Sequence, residues 1–476
     1  MLCNFELRGV DKTNQYEELI KVFLQPEEYR LLTDCDDSEA GHGINKKNSA
    51  APLEEADAGT ESPAMRFSFT FTGDKDLLKR QIFEALSEYT GKHPKWGILT
   101  GIRPVKLAGE LLKETGSIHE VKQILTERYL LHPEKTDLIC EILEYQHASI
   151  GLPKENSLSL YIGIPFCPTR CLYCSFPSNQ KPQSEVERYL QTLLTEVDSA
   201  AEGIQRDGYI LESIYIGGGT PTTLDEPQLE RLLGRVNEKM PMDTVKEFTV
   251  EAGRPDTITG GKLDIMKRYG VTRISINPQS MKQETLELIG RAHTVEDVRR
   301  AFHMADRQEM DLVNADLIAG LPGESFEDFQ ASLQEILELG AKNITLHTLA
   351  VKRASRLKDL DEGFHYKNEV LREQMLEYAL NTLRAQGYRP YYLYRQKHTS
   401  GSTENIGFCK DDTPSIYNIR IMEEAQSILA LGAGAISKIY FPKENRLERV
   451  PNVTNYEIYI ERIDEMIERK NRGFWR

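Results

Sequence analysis

Between Ser157 and Ala350 the chain repeats one pattern six times: a short apolar run, a polar loop and an amphipathic helical stretch. The runs are "LSLYIGIP", "LESIYIGG", "KEFTVEA", "TRISINP", "LVNADLIAG" and "NITLHTLA". Each is apolar at most positions instead of at every second one, the mark of a strand buried on both faces. The stretches "SEVERYLQTLLTEVDSAAEGI", "EPQLERLLGRVNEK" and "SFEDFQASLQEILELG" lie between runs with apolar residues at helical spacing. Such alternation implies parallel βαβ units. Six of them predict an α/β fold built on a partial (β/α)6 TIM-like barrel over residues 157–350, incomplete because the alternation loses regularity after Ala350. Sites in such folds lie at the C-terminal ends of the strands.

The flanks read differently. Residues 1–150 predict an N-terminal α+β domain, with strand-like "NFELRGV" and "MRFSFTFTG", a helix from Gln15 to Leu24, and helical segments continuing to Ile150. Within it, about 34–64 is polar and small-residue-rich, a flexible loop by composition, and its Cys35 and His42 have no partner pattern. Residues 351–476 predict a C-terminal α+β extension covering the substrate, with a helix in "LREQMLEYALNTLRAQG", the aromatic "YRPYYLYRQK" and the Gly-rich "LALGAGAISK". A net charge of −15 repels phosphate backbones and argues against nucleic acid as the main partner. No apolar run reaches membrane length and no secretory signal opens the chain, so a cytoplasmic location is expected, where thiols stay reduced.

That matters for "CPTRCLYC", which places Cys167, Cys171 and Cys174 on the loop after the first strand. Three thiolates together suit a soft metal centre. A structural zinc site closes with four protein ligands, and no fourth Cys or His lies nearby. A [4Fe–4S] cluster also takes four thiolates as a rule, so three leave one iron open to an outside ligand. "GGGTPT" follows the second strand, where adjacent glycines allow a tight turn or the close approach of a cofactor; its position beside the cysteine loop favours the cofactor. Glu251 ends the third strand as a carboxylate at a strand tip, facing a site.

The spacing C-x3-C-x2-C after a first barrel strand resembles that of radical S-adenosylmethionine (SAM) enzymes. The resemblance implies a [4Fe–4S] cluster held by the three cysteines, SAM chelated on the open iron, and its cleavage to a 5′-deoxyadenosyl radical. Further matches run in order: "YIGIPFC", "GVTRISINPQS", "GRAHT", "NADLIAGLPGES" and "LALGAGAIS" are similar to segments of oxygen-independent coproporphyrinogen III oxidases (coproporphyrinogen dehydrogenases) and their relatives. Carried across, Tyr161, Gly218 and Glu251 would contact the cluster-bound SAM, with Ile436 a further contact. Tyr173, Gly219, Thr220, Gln279, Arg291 and Asp316 would correspond to a second SAM site of the oxidase. Departures exist: Gly163 stands where the family has His, and Asn277-Pro278 where a Gly-Val pair is usual. The oxidase C-terminal motifs and the "HNxxYW" of haem-chaperone relatives are absent, and "LTGIRPVK" with "YYLYRQK" resembles the HemZ-type branch.

The activity implied is anaerobic oxidative decarboxylation in haem and porphyrin biosynthesis. Two propionates of coproporphyrinogen III become the vinyl groups of protoporphyrinogen IX, with a one-electron donor such as flavodoxin or ferredoxin as partner. The other readings are a haem-binding chaperone relative and an enzyme modifying haem. A tetracarboxylate substrate calls for cationic clamps, and Arg103, Lys106, Arg395, Lys397 and Arg420 are candidates, each weighed against ordinary surface charge. His347 and His398 read as structural.

Overall fold

The computed structural model describes residues 2–33, 65–176, 178–349, 369–395 and 404–475. The polar segment 34–64 with Cys35 and His42, the expected boundary near residue 350, Lys397 and His398 all lie outside them. The described residues fall into two compact units, the first drawn from 2–102 and 115–137, the second from 103–114 and 138–475.

The first unit is built on three parallel strands, β1 (Cys3–Arg8), β2 (Tyr29–Thr33) and β3 (Met65–Thr70), in the order β2-β1-β3. β1 buries alternate residues Cys3, Phe5 and Leu7. Helix Asn14–Phe23 returns the chain from β1 to β2 and turns Tyr16, Leu19, Ile20 and Phe23 inward at helical spacing. β2, a short "YRLLT" after Pro26, carried too weak a pattern to be expected as a strand. Helix Lys75–Thr90 starts at Asp74, whose side chain accepts from the Asp76 and Leu77 amides, and ends on left-handed Gly91.

The second unit contains the six expected strands: β4 (Ser157–Ile164), β5 (Ile210–Gly218), β6 (Glu247–Glu251), β7 (Arg273–Ser275), β8 (Leu312–Ala319) and β9 (Asn343–Thr348). All pair in parallel with their sequence neighbours, and helices lie between them. β4 shows why its sequence does not alternate: seven of its eight residues are buried. The C-terminal segment then extends both edges of this arc. β10 (Arg389–Arg395) and β11 (Glu404–Cys409) continue antiparallel from β9, while β12 (Ser427–Leu431) joins β4 in parallel, followed by antiparallel β13 (Ile436–Phe441) and β14 (Arg446–Pro451). The result is one sheet of eleven strands with its six-stranded arc in the middle, and both edges of that arc are paired.

The N-terminal end of the arc is closed by a buried polar plug. Glu247 accepts from Ser415 Oγ at 3.0 Å and from the Ile416 and Tyr417 amides at 3.0 and 3.2 Å, so it caps helix Ile416–Glu423. Arg273 pairs with Glu247 at 3.3 Å and donates to Asn343 Oδ1 at 2.5 Å and to the Thr413 carbonyl at 2.9 Å. Both charged side chains are 4% exposed. Removing one partner of such a pair strands a buried charge, at a cost of about 3–5 kcal/mol. Arg273→Ala is therefore expected to lose about that much stability in denaturant unfolding. A loss under about 1 kcal/mol, the level of a surface pair, would show that the plug is not desolvated.

Candidate active site at the C-terminal strand ends

The cysteine loop is held at the open end of the arc by backbone bonds on three sides. The Cys167 amide donates to Asn179 O at 3.1 Å, and Asn179 returns its own amide to Pro165 O at 3.0 Å. The Leu172 amide donates to Ile289 O at 2.9 Å. From the loop after β5, the amides of Gly219 and Thr220 donate to Ile164 O and Phe166 O at 2.8 and 2.7 Å. Side chains reach the sulfurs as well: Thr220 Oγ1 is 3.4 Å from Cys167 Sγ, and Arg254 Nη1 is 3.9 Å from Cys171 Sγ. Burial, with the neighbouring thiols, pushes the Cys174 thiol up. Among the described residues no three His, Cys, Asp or Glu side chains are gathered for a single metal ion.

The residues around the loop fit a bound group. At Gly218, φ is +113°, a left-handed region that favours glycine, and its amide donates to Glu251 Oε2 at 3.2 Å. A methyl at Gly219 would come within 2.5 Å of Phe166 O and 3.0 Å of Cys167 Sγ, and one at Gly217 within 3.0 Å of the Glu251 carboxyl carbon. Only bare backbone can pass there. Tyr215, two residues before Gly217 and on the same face of β5, donates its hydroxyl to Glu251 Oε1 at 2.5 Å. Burial and the nearby Asp316 push the Glu251 carboxyl up to about 7, against the Tyr215 and Gly218 bonds. Tyr161 and Tyr417 both stack against Tyr215, with ring centroids at 6.2 and 4.4 Å, and against each other at 6.2 Å.

The opposite wall comes from β7, β8 and β9. Gln279 has φ +71°, unusual for a side-chain-bearing residue, and bridges to β8 through its amide to Asp316 O at 2.9 Å. The buried atoms here with no hydrogen-bond partner among the described residues include Asn277 Oδ1, Gln279 Oε1 and Arg291 Nε. Polar atoms so placed point to a ligand that would satisfy them. Asp316 Oδ1 accepts from Asn314 Nδ2 at 2.9 Å, and its Oδ2 stands 3.5 Å from His347 Nε2. His347 Nδ1 lies 3.2 Å from the Tyr394 hydroxyl at the end of β10.

The structure thus brings Cys167, Cys171, Cys174, Gly218, Gly219, Thr220 and Glu251 to one side of the strand ends, and Gln279, Arg291 and Asp316 to the other. Tyr161 joins from within β4. Tyr173 packs beside Leu286, Ile289 and Leu349. Ile436 opens β13, is 46% exposed, and follows the loop in which a methyl on Gly432 would stand 2.5 Å from Gly163 O.

The candidate clamps are placed otherwise than expected. Arg103 and Lys106 meet Glu424 at 3.0 and 3.5 Å, together with Lys438 and Arg449. Glu424 precedes β12, at the end of the sheet away from the cysteines. Arg420 is buried against Glu212. Arg395 alone among the described four ends at the open side, buried on β10. Tyr215, Arg254, Tyr394 and the buried His293, held neutral by burial with its value pushed down to about 3, were not expected at the site. Tyr215 could have been read from its place in "YIGG", two residues before the glycines, on the inward face of the strand.

The sequence profile described as the Radical SAM superfamily matches residues 161–336. The chain is 39% identical over 414 residues to the oxygen-independent coproporphyrinogen-III oxidase-like protein HemZ of Bacillus subtilis, covering 86% of this chain and 83% of that protein. It is 32% identical over 281 residues to the heme chaperone HemW of the same organism, covering 58% and 70%. The crystal structure of the Escherichia coli coproporphyrinogen III oxidase HemN superposes with a TM-score of 0.51 at 22% identity, over 68% of this chain and 73% of that one, a likeness of fold.

Glu251 makes a pH prediction with a definite sign. Its folded carboxyl keeps a proton that the unfolded chain releases near 4.5, so stability falls as pH rises from about 4.5 through about 7. Glu324 and Glu423, also pushed to about 7 by burial, contribute in the same direction. In the metal-free protein Glu251→Gln should flatten this limb in part, followed by thermal unfolding at pH 5 and pH 8. An unchanged slope would place Glu251 in water.

Proposed function

The chain belongs to the radical SAM superfamily, among the oxygen-independent coproporphyrinogen-III oxidase-like proteins, and on that premise we propose that it oxidatively decarboxylates propionate side chains of a porphyrinogen, coproporphyrinogen III first among them. The observation that carries this reading is the loop of three thiols packed on the bare backbone of Gly217–Gly219, with Glu251 beside it. When bound, a [4Fe–4S] cluster and SAM supply a deoxyadenosyl radical able to take a hydrogen atom from an unactivated carbon.

The protein's part is to hold and to exclude. Cys167, Cys171 and Cys174 would hold three irons, while Arg254 and Thr220 direct positive charge and a hydroxyl at the sulfurs. Glu251 and the Gly218 backbone would hold the SAM polar groups, with the Tyr215 hydroxyl fixing the Glu251 carboxylate and Tyr161 stacked on Tyr215 beside it. On the far wall, Asn277 Oδ1 and Gln279 Oε1 are acceptors matched to pyrrole N–H donors, and Arg395 is the cation nearest in kind to a propionate clamp. Loss of the β-hydrogen, then of CO₂ and one electron, turns a propionate into a vinyl group, so an external one-electron carrier of the flavodoxin or ferredoxin kind is required. The likeness to heme chaperones favours a second reading, in which the same site keeps its cofactors while the chain carries haem.

Anaerobically reconstituted protein, given SAM, a reductant and coproporphyrinogen III, should form deoxyadenosine and vinyl product together. Cys171→Ala should lose iron and both products. Tight haem binding without any vinyl product would sink the decarboxylase reading in favour of the carrier.

A further inference from the structure

Four tyrosines pack in one cluster along β10, and two of them are equipped to lose an electron. Tyr394 and Tyr392 have ring centroids 6.4 Å apart, Tyr392 and Tyr391 4.9 Å apart. A register shift between Pro390 and Tyr392 lets the neighbours Tyr391 and Tyr392 enter the same cluster. Gly407 makes the room, since a methyl there would fall inside the Tyr392 ring. Tyr145 and Cys409 complete the cluster, with Met422 packed against it. Tyr394 pairs with Asn405, whose side chain meets the Thr348 amide at the end of β9, whereas Cys409 pairs with Asn343 at its start. The cluster therefore reaches along the arc from its open end to its closed one.

Phenylalanine would fill this space equally well, so the hydroxyls ask for another reason. Burial pushes all four up, so each phenol keeps its proton until it is oxidised. A buried phenol then releases an electron readily only where its proton has an acceptor. Tyr394 Oη lies 3.2 Å from His347 Nδ1, and His347 Nε2 faces Asp316 Oδ2 at 3.5 Å. Tyr145 donates to Oδ1 of the exposed Asp412 at 3.1 Å and lies 3.2 Å from Cys409 Sγ. Between these ends the hydroxyls meet neutral groups: Tyr392 donates to Thr345 Oγ1 at 3.3 Å, and Tyr391 accepts from the Asn418 amide at 3.4 Å.

We propose that Tyr394, Tyr392, Tyr391 and Tyr145 form a relay that quenches a carbon radical made at the open end when no substrate is there to receive it. Enzymes that generate reactive intermediates must suppress their side reactions. Tyr394 gives the radical a hydrogen atom, forming a C–H bond and leaving a phenoxyl. An electron then passes from Tyr145 across the intervening rings, and the proton that restores Tyr394 enters through His347, whose side chain is 27% exposed. Tyr145 leaves its own proton on Asp412. An external one-electron carrier of the flavodoxin or ferredoxin kind reduces the Tyr145 phenoxyl, and Asp412 returns the proton. In sum the radical gains one electron and one proton. The proposal rests on the reading of the cysteine loop as the place where SAM is cleaved.

The test is freeze-quench electron paramagnetic resonance on the reduced, cluster-loaded protein, freed of excess reductant and mixed with SAM but no porphyrinogen. Deoxyadenosine should form together with a tyrosyl signal that the carrier then removes. Tyr394→Phe, matched for iron content, should lose the signal. Asp412→Asn should hold the signal on Tyr394, with altered hyperfine splitting and slower removal by the carrier. It carries the test alone if Tyr394→Phe fails to load its cluster. Deoxyadenosine without a tyrosyl signal overturns the proposal, as does a signal unchanged in either variant. If neither deoxyadenosine nor a signal appears, the cleavage reading itself fails, and the two failures are told apart.

Discussion

A carboxylate and a guanidinium sealed from water close one end of the strand arc, and the site at the other end is built upon that closure. Buried charges of this kind persist only when every remaining donor and acceptor is met. Glu247 and Arg273 achieve it with Asn343 and with backbone from residues 413–417, which lie far along the chain. The helix that Glu247 caps then carries Tyr417 upward against Tyr215, whose hydroxyl fixes Glu251. A continuous line of contacts runs from the sealed floor to the carboxylate beside the cysteine loop. The aromatic stack occupies the interior that a barrel of this width must fill with side chains.

How much of this could be read from the residues depended on whether the pattern was local. β4 to β9 fall on the expected apolar runs because a strand buried on both faces marks itself within eight residues. The cysteine and glycine loops were legible for a similar reason, since each carries its chemistry in a short stretch. The pairing of β12 with β4 and of β11 with β9 was not, because nothing in "SILAL" names a partner so distant in sequence. The cations misled most. Arg103, Lys106 and Arg420 look alike in a sequence, and only the fold reveals that Glu424 and Glu212 have taken them. His347 shows the reverse: a histidine in an apolar run reads as packing, until β8 and β10 set Asp316 and Tyr394 beside it.

Charge is therefore divided along the strands. Glu251 and Asp316 stand at the open end, where Arg254 and Arg291 are already tied to backbone or to Asp256. The cations gathered around Glu424 stand at the other end. Among the described residues the buried polar atoms left without a partner at the open end include the amide oxygens of Asn277 and Gln279.

The union of β12 with β4 also sets an order of events during synthesis. Ser427 pairs with Leu158, so the strand bearing the cysteine loop waits for a partner made 269 residues later. At ribosomal rates of roughly 5–20 residues per second, that is a delay of about 15–50 s. For that interval β4 has an unpaired edge, and the loop containing Gly432 that packs on Gly163 does not yet exist. A nascent chain thus reaches its cysteines early and completes their surroundings late.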